Sequence, residues 1–290
     1  MAERDGAPRR KDEPFEGSEL DAKDRREIRR RQSLRSPVIY EVVRRDGDEE
    51  LTRPLASLWW SGIAAGFGIS LSLIMQGALH AGLPDTPWRH LVTSLGYTTG
   101  FVVVILGRLQ LFTENTITAV LPLLADRSLK VLRQTLRLWI VVFAANMVGT
   151  AAVAALALGS AGLPPPVVEG MLDVSRHLLE LGFLQALGYG VPAGFLVAAI
   201  VWMLPNASGN ALGVVVLMTY AIALCGFTHV VAGSLDVWLL LFHGDVGVFR
   251  ALVGMLLPVF VGNLVGGTGL FSLIAWGQVR EELEPSQDQR

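Results

Sequence analysis

Of 290 residues, 51% are hydrophobic and the mean hydropathy is +0.46, a balance that excludes an ordinary soluble enzyme and points to an integral membrane protein. Charge is segregated, with 14 of the 24 Lys and Arg and 14 of the 26 Asp and Glu in residues 1–53. The net charge of −2 gives no basis for nucleic-acid binding, and one cysteine, Cys225, excludes an intramolecular disulfide.

Residues 1–53 read as a polar, charged cytoplasmic tail, poorly able to bury a core. Its Arg25–Arg35 run is interleaved with acids, which favours a solvated or weakly helical segment. No cleavable signal peptide is visible, so insertion is expected to depend on the first internal helix. A span needs about 20 apolar residues, and six candidates follow. The first is Pro54 to Leu79, led in by Trp59-Trp60. The second runs from Leu91 to about Phe112, is interrupted at Thr113-Glu114-Asn115, and resumes through Leu124. A basic loop with Arg127, Lys130, Arg133 and Arg137 leads to the third, about Leu138 to Leu158.

A connector with Pro164-Pro165-Pro166, within 161–180, precedes the fourth span, about Leu181 to Leu204. The fifth, Ala211 to Phe227, is expected to break over Thr228 to Ser234 and resume from Val237 to Phe242. The sixth is about Phe249 to Trp276, and a polar end (278–290) closes the chain. Six spans put both termini on one side. That side carries the tail, the 127–137 basic run, Arg280 and Arg290, against Arg89, Arg176 and Arg250 opposite. The positive-inside rule then predicts that both termini are cytoplasmic.

The two halves, 54–160 and 181–277, repeat each other. Ser61-Gly-Ile-Ala-Ala-Gly-Phe67 aligns with Tyr189-Gly-Val-Pro-Ala-Gly-Phe195, Phe112-Thr113 with Phe227-Thr228, and Ala145-Asn146-Met-Val-Gly149 with Gly262-Asn263-Leu-Val-Gly266. Three spans per half make the repeats inverted, and paired broken helices mark a transport site at the repeat interface. The predicted fold class is therefore an all-α membrane protein of six helices, with the second and fifth broken. An ionisable side chain at such depth lines a cavity or faces the bundle interior, and His229 sits at the second break. A structural imidazole bonding a backbone carbonyl is the plain alternative.

The strings Leu111-Phe112-Thr113, Gly226-Phe-Thr-His229 and Gly262-Asn-Leu-Val-Gly-Gly267 resemble the marks of the formate/nitrite transporter family, over roughly residues 54–280. The resemblance implies an aquaporin-like fold, a homopentamer in a bacterial inner membrane, and one pore per protomer for small monovalent anions such as formate or nitrite. It implies that His229 is the central pore histidine, that Thr113 faces it, and that Asn146 and Asn263 tie the breaks down. Apolar constrictions map to Phe101 and Leu111 on one side and Ile222 on the other, with Thr228 beside the histidine. The chain also departs from the family pattern. Leu178 stands where a lysine is common, with Arg176 and His177 beside it, while Gly194 and Gln185 replace an Asn and a Glu. Arg108 and Glu114 flank the first break, either as a neutralising pair or as a different selectivity determinant.

The chemistry this implies involves anions, protons and the bilayer, with no cofactor, metal or nucleic acid. A bare anion crosses an apolar constriction at high cost, and an imidazole can share a proton with it. Two rivals remain open: a neutral-solute channel and a non-transporting scaffold of the same fold. The remaining histidines lack metal-ligand spacing and no nucleophile has a partnered base, so an enzyme is not expected.

Overall fold

The computed structural model describes residues 33–159 and 162–283. Arg25 to Arg31 of the basic run and Arg290 lie outside the described residues. Those described form helices and connecting turns, with no strand among them.

The first helix, α1 (Ser36–Thr52), corrects the expectation that residues 1–53 are poorly able to bury a core. Pro37 stands in its first turn, where a missing N–H costs nothing. Ile39, Tyr40, Val43, Gly47 and Leu51 are buried along one face, the spacing of an amphipathic helix. Evenly mixed charge hid that stripe: Arg44 pairs with Glu41 and Asp48, and Arg45 with Glu41, on the outer face. The Arg137 guanidinium closes the C-terminal end of α1 by donating to the carbonyls of Leu51 (2.9 Å) and Arg53 (3.0 Å).

Helix α2 (Leu55–Gly82) has 28 residues, about 42 Å at ~1.5 Å per residue, which exceeds the ~30 Å hydrocarbon layer. Helix α3 (Arg89–Leu106) stops short, and the chain resumes as α4 (Asn115–Thr118) and α5 (Val120–Ala125). Helix α6 (Leu129–Leu158) starts inside the basic run, nine residues before the predicted Leu138. Ser128 caps it by accepting from Val131 N, so Lys130, Arg133 and Arg137 lie on helix, and Arg127 stays in the turn before it. The connector holds α7 (Pro165–Ser175), whose buried Met171 packs against Gly77 of α2.

The second half consists of α8 (Phe183–Met203), α9 (Ala211–Leu224), α10 (Val230–His243) and a last crossing that is helical from Arg250 to Glu282. That crossing carries π-helical turns at Arg250–Leu256 and Val265–Ser272, with an α segment α11 (Leu257–Leu264) between them. Among the described residues, five helices are long and apolar enough to cross a membrane. Helices α9 and α10 have 14 residues each, about 21 Å apiece, so one crossing needs both in succession.

Small residues let the spans meet backbone to backbone. A Cβ added at Gly66 of α2 would lie 2.8 Å from Gly149 Cα of α6. One added at Gly190 of α8 would lie 3.1 Å from Gly262 Cα of α11.

Helix α1 is seated the same way, since a Cβ on Gly47 would collide with the Thr118 carbonyl and the Pro122 ring. Gly47→Leu is therefore expected to lift α1 off the body while the spans stay folded. Limited trypsin digestion of the purified chain should then cut at Arg44 and Arg45 faster than in the wild type, and equal rates would refute this seating.

Candidate functional site

Breaking a helix in hydrocarbon frees backbone N–H and C=O groups that must find partners. Here one buried asparagine serves each break. The Asn146 amide donates to the carbonyls of Gly62 (2.8 Å) and Gln110 (2.9 Å), and its oxygen accepts from Phe112 N (2.9 Å). Asn263 repeats the pattern with the carbonyls of Gly190 and Thr228 (both 2.9 Å) and with Val230 N (2.8 Å).

These bonds also correct the register of the repeat. Gln110 and Phe112 occupy the places of Thr228 and Val230, so His229 corresponds to Leu111. The turns agree: Leu109 N donates to Val104 O as Phe227 N does to Ile222 O, and Arg108 N to Ile105 O as Gly226 N to Ala223 O. Both Arg108 (φ 51°) and Gly226 (φ 66°) are left-handed. The shared Phe-Thr pair had placed the alignment three positions away, because side-chain identity outran backbone equivalence. The first break therefore spans Gly107 to Glu114 and the second Cys225 to His229, both earlier than the sequence suggested. Ala232, Gly233 and Ser234 are helical. They form the first turn of α10, which His229 caps by accepting from Ala232 N through Nδ1 (3.1 Å).

The two breaks meet where Thr113 Oγ1 lies 2.7 Å from His229 Nε2. Because Nδ1 takes an N–H, the neutral ring carries its proton on Nε2 and donates it to the threonine oxygen. Both residues are buried, and Phe101 stands edge-on to the imidazole with centroids 5.0 Å apart. Thr228 donates from its hydroxyl to Ala186 O (2.9 Å).

His229 forms part of the wall of a 90 Å³ cavity, together with Phe227, Thr228, Leu178, His177 and Asp236. A second cavity of 360 Å³ is lined by Leu111, Arg108, Glu114 and Gln110, and by Asp46 and Glu50 of α1. Ala186 lines the first and Val201 the second, 15 residues apart on α8 and so about 22 Å along its axis. Ile222 is fully buried and lines neither cavity.

Arg108 and Glu114 make no direct ion pair, although the guanidinium is near enough to act on the carboxyl across the cavity that both line. No ion pair joins them among the described residues, Arg108 is exposed, and one buried Glu114 carboxylate oxygen lacks a hydrogen-bond partner. The break turns the two side chains into the cavity rather than onto each other. Sequence reasoning missed Gln110, Asp46, Glu50 and Asp236. Of these only Asp236 had a local signal, seven residues after His229 and so on the same helical face. Among the described residues, no three His, Cys, Asp or Glu side chains converge as a metal ion would need.

The family model described as formate/nitrite transporter matches residues 37–277. The chain belongs to the formate/nitrite transporter family. The match takes in α1 along with the spans. Among relatives of this family, the chain is 36% identical to inner membrane protein YfdC of Escherichia coli over 253 residues, 86% of this chain and 80% of that one. It is 26% identical to formate channel FocA of Haemophilus influenzae, over 74% of this chain and 84% of that one. A solved pentameric formate channel with formate bound superposes with a TM-score of 0.68 at 24% identity, covering 78% of this chain and 98% of that one. An FNT family ion channel superposes at 0.70 and 23%, covering 84% and 98%. The fold is thus the aquaporin-like one of the formate/nitrite transporter family.

Within this family fold Arg108 holds a backbone shape that costs an ordinary side chain about 1–2 kcal/mol. Arg108→Gly is expected to be more stable than Arg108→Ala by about 1 kcal/mol. Thermal unfolding of the two variants in one detergent checks this, and equal midpoints would refute the strain.

Proposed function

We propose that the protein carries small monovalent weak-acid anions, formate or nitrite among them, across a bacterial inner membrane as a homopentamer with a pore in each protomer. The observation that carries this is the Thr113–His229 contact at the meeting of two clamped breaks, beside a cavity. The names of the relatives support the substrate class and the membrane, and the distribution of Lys and Arg supports cytoplasmic termini.

The anion reaches the 90 Å³ cavity and displaces the Thr113 hydroxyl as the acceptor of the His229 Nε2 proton. Sharing that proton spreads the negative charge, which lowers the cost of passing the apolar side chains of Phe101 and Leu111. The ring stays oriented because Ala232 N holds Nδ1. Beyond Leu111 the anion enters the second cavity, where Arg108 is the cation and Asp46, Glu50 and Glu114 are the carboxylates. That acidic surround favours altered selectivity over free passage of a bare anion, and it is the observation behind a second reading, a pore tuned to a different weak acid.

His229→Phe removes the donor and keeps the ring volume. It is expected to lower formate or nitrite uptake into proteoliposomes at least about 100-fold, with an unchanged oligomer peak in gel filtration. Uptake that survives this change would sink the proton-sharing step.

A further inference from the structure

His229 has little freedom to give a proton away entirely. Its neutral ring offers one N–H, on Nε2, and losing that would leave an imidazolate. Charging the ring first would put a proton on Nδ1, where the Ala232 N–H already points. A permeant anion that is to become a neutral acid therefore needs another donor on its route, and the cavity beside His229 supplies one.

Asp236 is a buried carboxyl on α10, two helical turns from His229 and on the same face, and it lines the same 90 Å³ cavity. Its Oδ1 accepts from the Ser175 hydroxyl at 2.9 Å, and Ser175 is itself fully buried. The titratable groups lining this cavity with it are Tyr97 of α3, His177 of the turn after α7, and His229, with the Gln76 amide from α2. His80, Arg89, Asp173, Arg176, Asp245 and Arg250 of the neighbouring elements have partners outside the cavity. His80 lies near Asp173 and Arg89, Arg176 lies near Asp173 and Asp245, and Arg250 donates to the Leu179 carbonyl. No lysine lines the cavity, and Leu178 occupies its wall beside His177.

We propose that Asp236 is the proton donor of the vestibule and converts the arriving weak-acid anion to its neutral acid before it passes His229. The inference rests on the transport reading above. The step balances: the carboxyl O–H of Asp236 breaks, an O–H forms on the substrate oxygen, and the electron pair stays on Asp236 as a carboxylate. The Ser175 hydroxyl stabilises that carboxylate, and water at the mouth reprotonates it. A cavity of this size holds the waters that such a transfer uses. The neutral acid then accepts the His229 Nε2–H and moves on, so each anion crosses with one proton.

The test uses the full chain in proteoliposomes containing a pH-sensitive dye, with formate as the probe. Asp236→Asn keeps the Ser175 partner and the volume but removes the transferable proton. Uptake at neutral pH is expected to fall at least about tenfold and to recover in acid, where formic acid itself is abundant. Asp236→Glu is expected to restore most of the flux and the pH profile. An active wild type whose pH profile and proton-to-formate ratio are unchanged in Asp236→Asn would overturn the assignment while leaving the transport reading standing. Equal loss in Asp236→Asn and Asp236→Glu at all pH values would assign Asp236 a structural role and overturn it too. If Asp236→Asn fails to fold, Ser175→Ala takes its place, with a displaced pH midpoint expected and an unmoved one counting against the proposal. A wild type that moves no formate overturns both readings.

Discussion

The architecture depends on satisfying backbone groups that two interrupted helices leave open at membrane depth. Water cannot do this in hydrocarbon, and each unmet N–H or C=O costs about 1–3 kcal/mol or more. A single asparagine amide, with two donors and an acceptor, ties one carbonyl and one N–H of each break to the helix beside it. Other side chains finish the work around them. The Trp139 indole and the Gln110 amide hold Asn115, and the π-helical turn at Val265–Ser272 lets Thr268 and Ser272 both reach the Thr116 carbonyl. The site is therefore built from irregular backbone pinned by buried amides and hydroxyls, and the imidazole itself is held by Ala232 N and Thr113.

The two breaks are equivalent in their hydrogen bonds and different in their chemistry. Where the second repeat presents His229, the first presents Leu111, and where the second has Gly226 the first has Arg108. The inverted repeat thus supplies a symmetric frame, and the residues on that frame make its two ends chemically unlike. One end carries an imidazole and a buried aspartate. The other carries a guanidinium among carboxylates, two of which come from α1.

Much of this was legible in the chain. Hydropathy gave the six crossings, and Gly62 with Gly190 and Asn146 with Asn263 gave the inverted repeat, because close helix contact and clamped breaks demand those residue types. His229 stood out because an ionisable group at that depth has few other uses. The register of the breaks was not legible, since it is decided by main-chain bonds that side-chain identity does not encode. Helix α1 was hidden because its outer face is so densely charged that mean polarity masked the apolar stripe. Asp46, Glu50 and Asp236 acquire meaning only when distant segments fold around the same space.

The contact of Gly66 with Gly149, and of Gly190 with Gly262, has a mechanical corollary. Two helices that touch through their main chains have no pliable side-chain layer between them, so each pair behaves as a stiff block. Any opening and shutting of the passage must then be absorbed elsewhere, in the short irregular segments at 107–114 and 225–229.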